Sequence, residues 1–191
     1  MDNEIDAIVP EIEEPYALTR VLGAQHETRL AHLLTLRPLH FIFVCTFYLL
    51  ILKVAASFLI EVITYPFPEW KPSGTVDPRK IIEEYGRGSA FLMGVVFAPL
   101  IETILGQWLP IRVARIWTEN PKILLWTATC VFALQHIHAG FSGLAVGFGG
   151  GIVLAFAFLA WYRVGFVKAF LMTSAIHAVH NGIAFVGALF L

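Results

Sequence analysis

Residues 91 to 111 read FLMGVVFAPLIETILGQWLPI, a run in which Glu102 is the only ionisable side chain. A helix of about 20 mostly apolar residues is long enough to cross the hydrocarbon core of a bilayer. The run therefore predicts a membrane-spanning helix. A carboxylate inside such a helix is costly unless it faces partners in the protein interior. Glu102 therefore needs partners from other parts of the chain.

The composition of the whole chain extends this prediction. Of its 191 residues, 58% are hydrophobic and 14% are charged, and the mean hydropathy is +0.73. Soluble domains carry about 25% charged residues. We therefore expect an integral, multi-pass membrane protein in contact with lipid. The net charge of −1 gives no bulk attraction to nucleic acid, and we expect no nucleic-acid partner.

Five stretches are apolar enough to be predicted as membrane helices, and they give an all-α, polytopic bundle. They cover approximately residues 39–65, 88–111, 123–138, 141–161 and 166–191. Residues 1–38 form an acidic, polar tail with a leucine-spaced segment that we expect at the membrane interface. Residues 39–84 hold the first span, a Pro-rich loop and a short amphipathic helix that Asp77 would cap, and residues 85–191 form a four-helix membrane core.

Two further patterns concern packing and orientation. Gly143, Gly147 and Gly151 form small-xxx-small pairs, which predict close helix approach in the fourth span. The lysines and arginines favour an N-terminus in the cytoplasm. With that orientation the inner segments hold Arg20, Arg29, Arg37, Arg112, Arg115, Lys122, Arg163 and Lys168, and the outer loop holds Lys71, Arg79, Lys80 and Arg87.

Three of the predicted spans carry polar residues near mid-depth. These residues are Glu102 and Gln107 in the second span, Gln135, His136 and His138 in the third, and Ser174, His177, His180 and Asn181 in the fifth. Measured from the basic residues at one end of each span, Glu102, His177 and His136 lie about 15, 14 and 21 Å deep. We therefore expect the three side chains in a common layer.

Helical periodicity indicates which polar residues face each other. Phe132 and His136 share a face, as do His177 and Asn181, whereas Glu102 and Gln107 diverge by about 140°. Gln107 is therefore expected to border the site, and His138 and His180 to support it. A purely structural role as hydrogen-bonding residues is one interpretation of the set. A carboxylate with two imidazoles also supplies a general base, its proton partner and an oxyanion donor, which hydrolysis requires.

The residues of these three spans resemble the motifs of the CPBP family, the CAAX-protease and bacteriocin-processing intramembrane endopeptidases. The stretch that corresponds to the family's Glu-Glu-xxx-Arg motif, often preceded by Ala-Pro, is 98–107, which reads APLIETILGQ. Its Phe-xxx-His motif is met by Phe132 and His136, and its His-xxx-Asn motif by His177 and Asn181. The resemblance covers about residues 85–191.

The resemblance implies an intramembrane endopeptidase with Glu102, His136, His177 and Asn181 as catalytic residues. Its substrates would be membrane-embedded or lipid-anchored peptides, hydrolysed by a water that Glu102 activates without a metal. Zinc held by Glu102, His136 and His177 is the metal-dependent alternative. Thr103 and Gln107 depart from the family's second glutamate and its arginine. They favour a second hypothesis, a catalytically inactive accessory or scaffold subunit of a larger membrane complex. A transporter-like proton relay ranks third, because no internal repeat is evident.

Overall fold

The computed structural model describes residues 33, 36–66 and 78–190. Within these residues the chain forms five helices and no strand, which confirms the predicted all-α membrane bundle. The acidic tail, the interfacial segment, the Pro-rich loop and the Asp77 cap lie outside the described residues. The second helix does begin at Pro78, as the sequence predicts.

The five helices are numbered in chain order. Helix α1 is Pro38–Thr64, α3 is Pro121–Gln135, α4 is Gly140–Tyr162 and α5 is Phe166–Phe190. Helix α2 is a series of consecutive segments: Pro78–Phe91, Leu92–Phe97, Ala98–Thr103, Ile104–Trp108 and Leu109–Ala114. Among the described residues, α1, α2, α4 with its preceding turn, and α5 are long and apolar enough to cross a membrane.

Helix α3 is the short member of the bundle. It has 15 residues, which rise about 22 Å, less than the roughly 30 Å of a hydrocarbon core. The predicted span 123–138 therefore forms a helix, but this helix is too short to cross the hydrocarbon core by its length alone. It ends at Gln135 because a 3₁₀ turn, Ile137–Ala139, and Gly140 with φ 72° reverse the chain into α4.

Two prolines shape α2. Its segments Leu92–Phe97 and Ile104–Trp108 are π-helical and end two residues before Pro99 and Pro110, respectively. A proline inside a helix has no N–H to donate and crowds the preceding turn, and a local π adjustment re-satisfies part of the backbone. A separate break at Gly86, with φ 78°, divides the exposed first turns of α2 from its membrane part.

Glycines bring α4 against its neighbours. A Cβ added to Gly143 would overlap the carbonyl oxygen of His136, and one added to Gly151 would lie 3.0 Å from that of Thr129. Successive glycines along α4 meet residues progressively closer to the start of α3. The two helices are therefore antiparallel. The predicted close approach at Gly143, Gly147 and Gly151 is confirmed, with α3 as the partner helix.

Helix α1 packs on α4 and α5 and exposes its other side. Phe41 is fully buried against Phe156 and Trp161, and the Thr46 hydroxyl donates to the Ile176 carbonyl over 3.4 Å. The opposite side of α1 carries exposed apolar residues in helical spacing, among them Leu39, Phe43, Phe47, Val54 and Phe58. Such a surface is suited to lipid, since lipid is as apolar as these side chains.

Candidate functional site

Three of the predicted catalytic residues meet at one point. The Glu102 Oε2 atom lies 3.8 Å from Nε2 of His136 and 3.7 Å from Nε2 of His177. These side chains come from α2, from the end of α3 and from α5, so the common layer expected from their depths is present. Hydrogen bonds between such atoms are usually 2.7–3.2 Å long. The carboxylate oxygen is therefore close to both imidazoles without a direct hydrogen bond to either.

The backbone of α3 fixes the orientation of His136. Its Nδ1 lies 2.9 Å from the Phe132 carbonyl oxygen. A carbonyl oxygen only accepts hydrogen bonds, so Nδ1 carries the proton of the neutral ring. The Nε2 atom then presents its lone pair towards Glu102, where it can accept a proton from a group between the two side chains.

Phe132 packs against both histidines. Its ring is almost completely buried and lies 4.8 Å from the His136 ring and 5.7 Å from the His177 ring, centroid to centroid. Gly106 of α2 leaves room for this ring, because a Cβ there would come within 2.6 Å of it. His177 is 4% exposed whereas the Glu102 side chain is 30% exposed, so His177 lies beneath the carboxylate.

A cavity of about 450 Å³ lies above the carboxylate. Its walls come from α1, α2, the turn between α3 and α4, the start of α4, and the second half of α5. The polar residues that line it are Lys53, Glu102, His136, His138, His180 and Asn181. The end of α3 and the turn that follows it therefore form part of the cavity wall.

The two supporting histidines lie in different surroundings. His138 is exposed, and its Nδ1 lies 3.0 Å from the Gln135 carbonyl oxygen. On a continued helix His136 and His138 would point about 200° apart, but α3 ends at Gln135, and both line the cavity. His180 is buried, with Nε2 2.9 Å from the Lys53 ammonium.

Asn181, one of the predicted catalytic residues, has a structural partner. Its Nδ2 donates to the Gly94 carbonyl oxygen over 2.8 Å. That carbonyl lacks its helical partner, because Ala98 donates to Met93 and the next residue, Pro99, has no N–H. Asn181 therefore satisfies a backbone group that Pro99 leaves free. One N–H of its amide remains for a ligand in the cavity.

The two residues that depart from the family motif are buried. Thr103 is 1% exposed and Gln107 is 0% exposed. Among the described residues, neither the Thr103 hydroxyl nor the Gln107 amide has a hydrogen-bond partner. Gln107 is not among the cavity-lining residues.

Lys53 is the site residue that sequence reasoning missed. It lies in the first predicted span with Glu61, and only its charge within an apolar run marked it. No motif points to it, and the pairing of α1 with α5 brings it to the cavity. A charged residue inside a membrane helix is a candidate functional residue. This general rule is the one feature of the sequence that could have identified Lys53.

The distances from Glu102 Oε2 to the two histidine nitrogens are longer than those in an occupied tetrahedral zinc site. Tetrahedral zinc with ligands at about 2.0–2.1 Å places neighbouring ligand atoms about 3.3–3.4 Å apart, whereas Oε2 lies 3.7 and 3.8 Å from the two nitrogens. Within the described part of the chain, no group of three His, Cys, Asp or Glu side chains has the arrangement for a metal ion.

Comparisons of the chain with protein-family models, with curated proteins and with solved structures find no match. The likeness to the CPBP family therefore rests on the residues quoted from its three motifs.

Proposed function

We propose that this protein is an intramembrane endopeptidase that hydrolyses peptide bonds through a water activated by Glu102. The observation that carries the proposal is that Glu102 lines the cavity and its Oε2 atom lies within 3.8 Å of an imidazole nitrogen of both His136 and His177. A general base must lie within hydrogen-bond reach of the proton it removes, and such contacts are often long before substrate binds.

The reaction needs no group beyond these side chains and water. Glu102 accepts a proton from water as the water oxygen bonds to the peptide carbonyl carbon, and the C=O π electrons move to the carbonyl oxygen. His136, oriented by the Phe132 carbonyl, positions the water. The oxyanion then re-forms C=O, the C–N bond breaks, and Glu102 returns the proton to the leaving nitrogen. The products are a carboxylic acid and an amine.

The walls of the cavity favour a membrane-embedded or lipid-anchored peptide. Apart from the polar residues near Glu102, they are lined by apolar side chains such as Ile81, Met93, Val95 and Phe185. An extended peptide bound there would keep its side chains in apolar surroundings. Its scissile carbonyl would face the polar floor, where a hydrogen-bonding site is available to a backbone that has left its helix.

The test compares peptide N-termini in membranes of cells that express the protein or its Glu102→Gln variant. N-terminal labelling and mass spectrometry should detect new N-termini in membrane or lipidated proteins only with the unchanged protein. Their rate of formation should fall at least about 100-fold in the variant, the usual minimum effect of removing a general base. Glu119→Gln is the matched control, because Glu119 is exposed and pairs with Arg115 outside the site.

Two results would contradict the proposal. One is the same set of new N-termini with the unchanged protein and with Glu102→Gln. The other is cleavage that a zinc chelator abolishes and added zinc restores. We expect a chelator to change the cleavage rate less than twofold (about 0.4 kcal/mol in barrier height).

The second candidate function is an inactive accessory subunit of a membrane complex. It is favoured by Thr103 and Gln107, which replace the motif's second glutamate and arginine and are buried without polar partners among the described residues. Gentle solubilisation followed by size-exclusion chromatography tests this candidate. Stoichiometric co-elution with another membrane protein, together with no cleavage products in the labelling experiment, would support it over the peptidase.

A further inference from the structure

Lys53 places a positive charge in the cavity that holds Glu102. It lies in the middle of α1, partly buried, and its Nζ is 2.9 Å from His180 Nε2. Among the described residues that line the cavity, it is the only lysine or arginine, and Glu102 is the only acidic residue. These two residues of opposite charge line the same cavity.

The packing of α1 on α4 holds the Lys53 side chain in this position. A Cβ added to Gly150 would lie 3.2 Å from the Lys53 Cε atom, and one added to Gly149 would lie 3.3 Å from the Leu52 carbonyl oxygen. Two adjacent glycines therefore leave room for the backbone of α1 and for the lysine stem. This contact differs from the contact of α4 with α3, which uses Gly143, Gly147 and Gly151.

The hydrogen bond to His180 orients the ammonium group. An ammonium only donates, so His180 Nε2 accepts, and Nδ1 of that ring carries its proton. One N–H of Lys53 is used in this way and two remain. Those two can serve an oxygen that acquires negative charge in the cavity.

A charged pair would also replace the positive charge of the motif's arginine, which this chain lacks. Gln107 is fully buried away from the cavity and carries no charge. A lone carboxylate in a membrane helix is costly, and its usual partner is a charge of opposite sign in the bundle interior. Lys53 supplies such a charge from a different helix.

We infer that Lys53 is the counter-charge of Glu102 and the group that stabilises the oxyanion of the tetrahedral intermediate. The counter-charge is independent of the proposed hydrolysis, whereas the oxyanion role rests on it. Asn181, with one N–H held by Gly94, is then a secondary donor in the cavity.

The counter-charge is tested by thermal unfolding of the full chain in detergent. Lys53→Met and Glu102→Gln should each lower the Tm, because each leaves one charge without its partner. The double variant should melt above Lys53→Met, since removing both charges removes the imbalance. Lys168→Met, at an exposed lysine of α5, is the matched control and should leave the Tm unchanged.

Additive losses in the double variant, or a Lys53→Met protein with an unchanged Tm, would overturn the inference. If Lys53→Met does not fold, Lys53→Gln takes its place in the cycle, because its amide can still donate to His180. A Lys53→Gln protein with the same Tm as the unchanged protein would also overturn the role of Lys53 as counter-charge.

The oxyanion role is tested on a peptide identified in the N-terminal labelling experiment. Lys53→Gln should lower kcat about 100- to 1,000-fold, the usual effect of removing an oxyanion donor, with little change in KM. Lys53→Arg should retain more activity because it keeps the charge. An unchanged kcat in Lys53→Gln would overturn this role while the hydrolysis stands. Charge coupling in a protein that cleaves nothing would instead support the counter-charge and overturn the hydrolysis and the oxyanion role.

Discussion

Glu102 lies in an apolar run where a single carboxylate has no local partner. Its partners come from other helices: His136 and His177 within 3.8 Å, and Lys53 across the cavity. None of these neighbours is within four residues of Glu102 in the sequence, so no helical spacing predicts the contacts directly. What the sequence does predict is a shared depth, because depth depends only on the distance along each helix from its charged end.

Asn181 shows how one side chain can serve the backbone and a site together. Its amide donates to the Gly94 carbonyl, which Pro99 leaves without a helical N–H. The His-xxx-Asn spacing predicts that Asn181 lies on the face of His177. The spacing gives no sign of Gly94, because that contact depends on the π-helical geometry of α2.

We expect Asn181→Ala to destabilise the protein by about 1–3 kcal/mol, the cost of leaving a partly buried carbonyl without a partner. Pro99→Ala should reduce that cost, because an alanine at this position provides an N–H for the Gly94 carbonyl. Chemical or thermal unfolding of the two single variants and the double variant measures the coupling. An equal cost of Asn181→Ala in both backgrounds would show that Asn181 does not serve this carbonyl.

The helices differ in how completely their sequences predict them. Helices α1, α4 and α5 begin and end close to the predicted bounds, because each is a continuous apolar run of sufficient length. Helix α3 ends at Gln135, although the apolar pattern continues to Ile137. Its end is decided by Gly140 and by the packing of Gly143 against the His136 carbonyl, which hydrophobicity alone does not register.

We expect Gly143→Ala to destabilise the bundle by about 1–3 kcal/mol or more, as overpacking does. The added methyl group would overlap the His136 carbonyl and the Ala139 side chain. Gly187→Ala in α5 is the control, because a Cβ there has no neighbour within 4 Å among the described residues. Thermal unfolding in detergent compares the two, and equal Tm values would contradict the close packing of α3 on α4.

At the scale of the molecule, the helices alternate in direction. Contacts of α4 with α3, of α2 with α5 and of α1 with α4 each run antiparallel. The loop at residues 115–120 and the turn at 163–165 therefore lie at one face of the bundle, and the start of α2 at the other. The cavity extends from Glu102 towards the face at which α2 begins, since Ile81 and Phe185 line it.

We expect the face that carries Glu119 to be cytoplasmic, because the lysines and arginines are more numerous there. In a Cys130→Ser background, which removes the exposed thiol, Glu83→Cys should react with an impermeant maleimide added outside intact cells. Glu119→Cys should react only after permeabilisation. The reverse pattern would invert the orientation, and labelling of both positions from outside would contradict the crossing of α2.

The sequence by itself determined that the protein is surrounded by lipid, that it is helical, and that the polar residues of the site share one depth. Long apolar runs require lipid and helices, because helices satisfy their own backbone groups within a bilayer. Only the tertiary structure decided the length of α3 and the cavity at its end. It also decided the contact of Asn181 with Gly94 and the position of Lys53 beside His180. Each of these depends on contacts between helices far apart in the sequence. Periodicity fixes the face that a residue takes on its own helix, but the partner of that face is fixed only by packing.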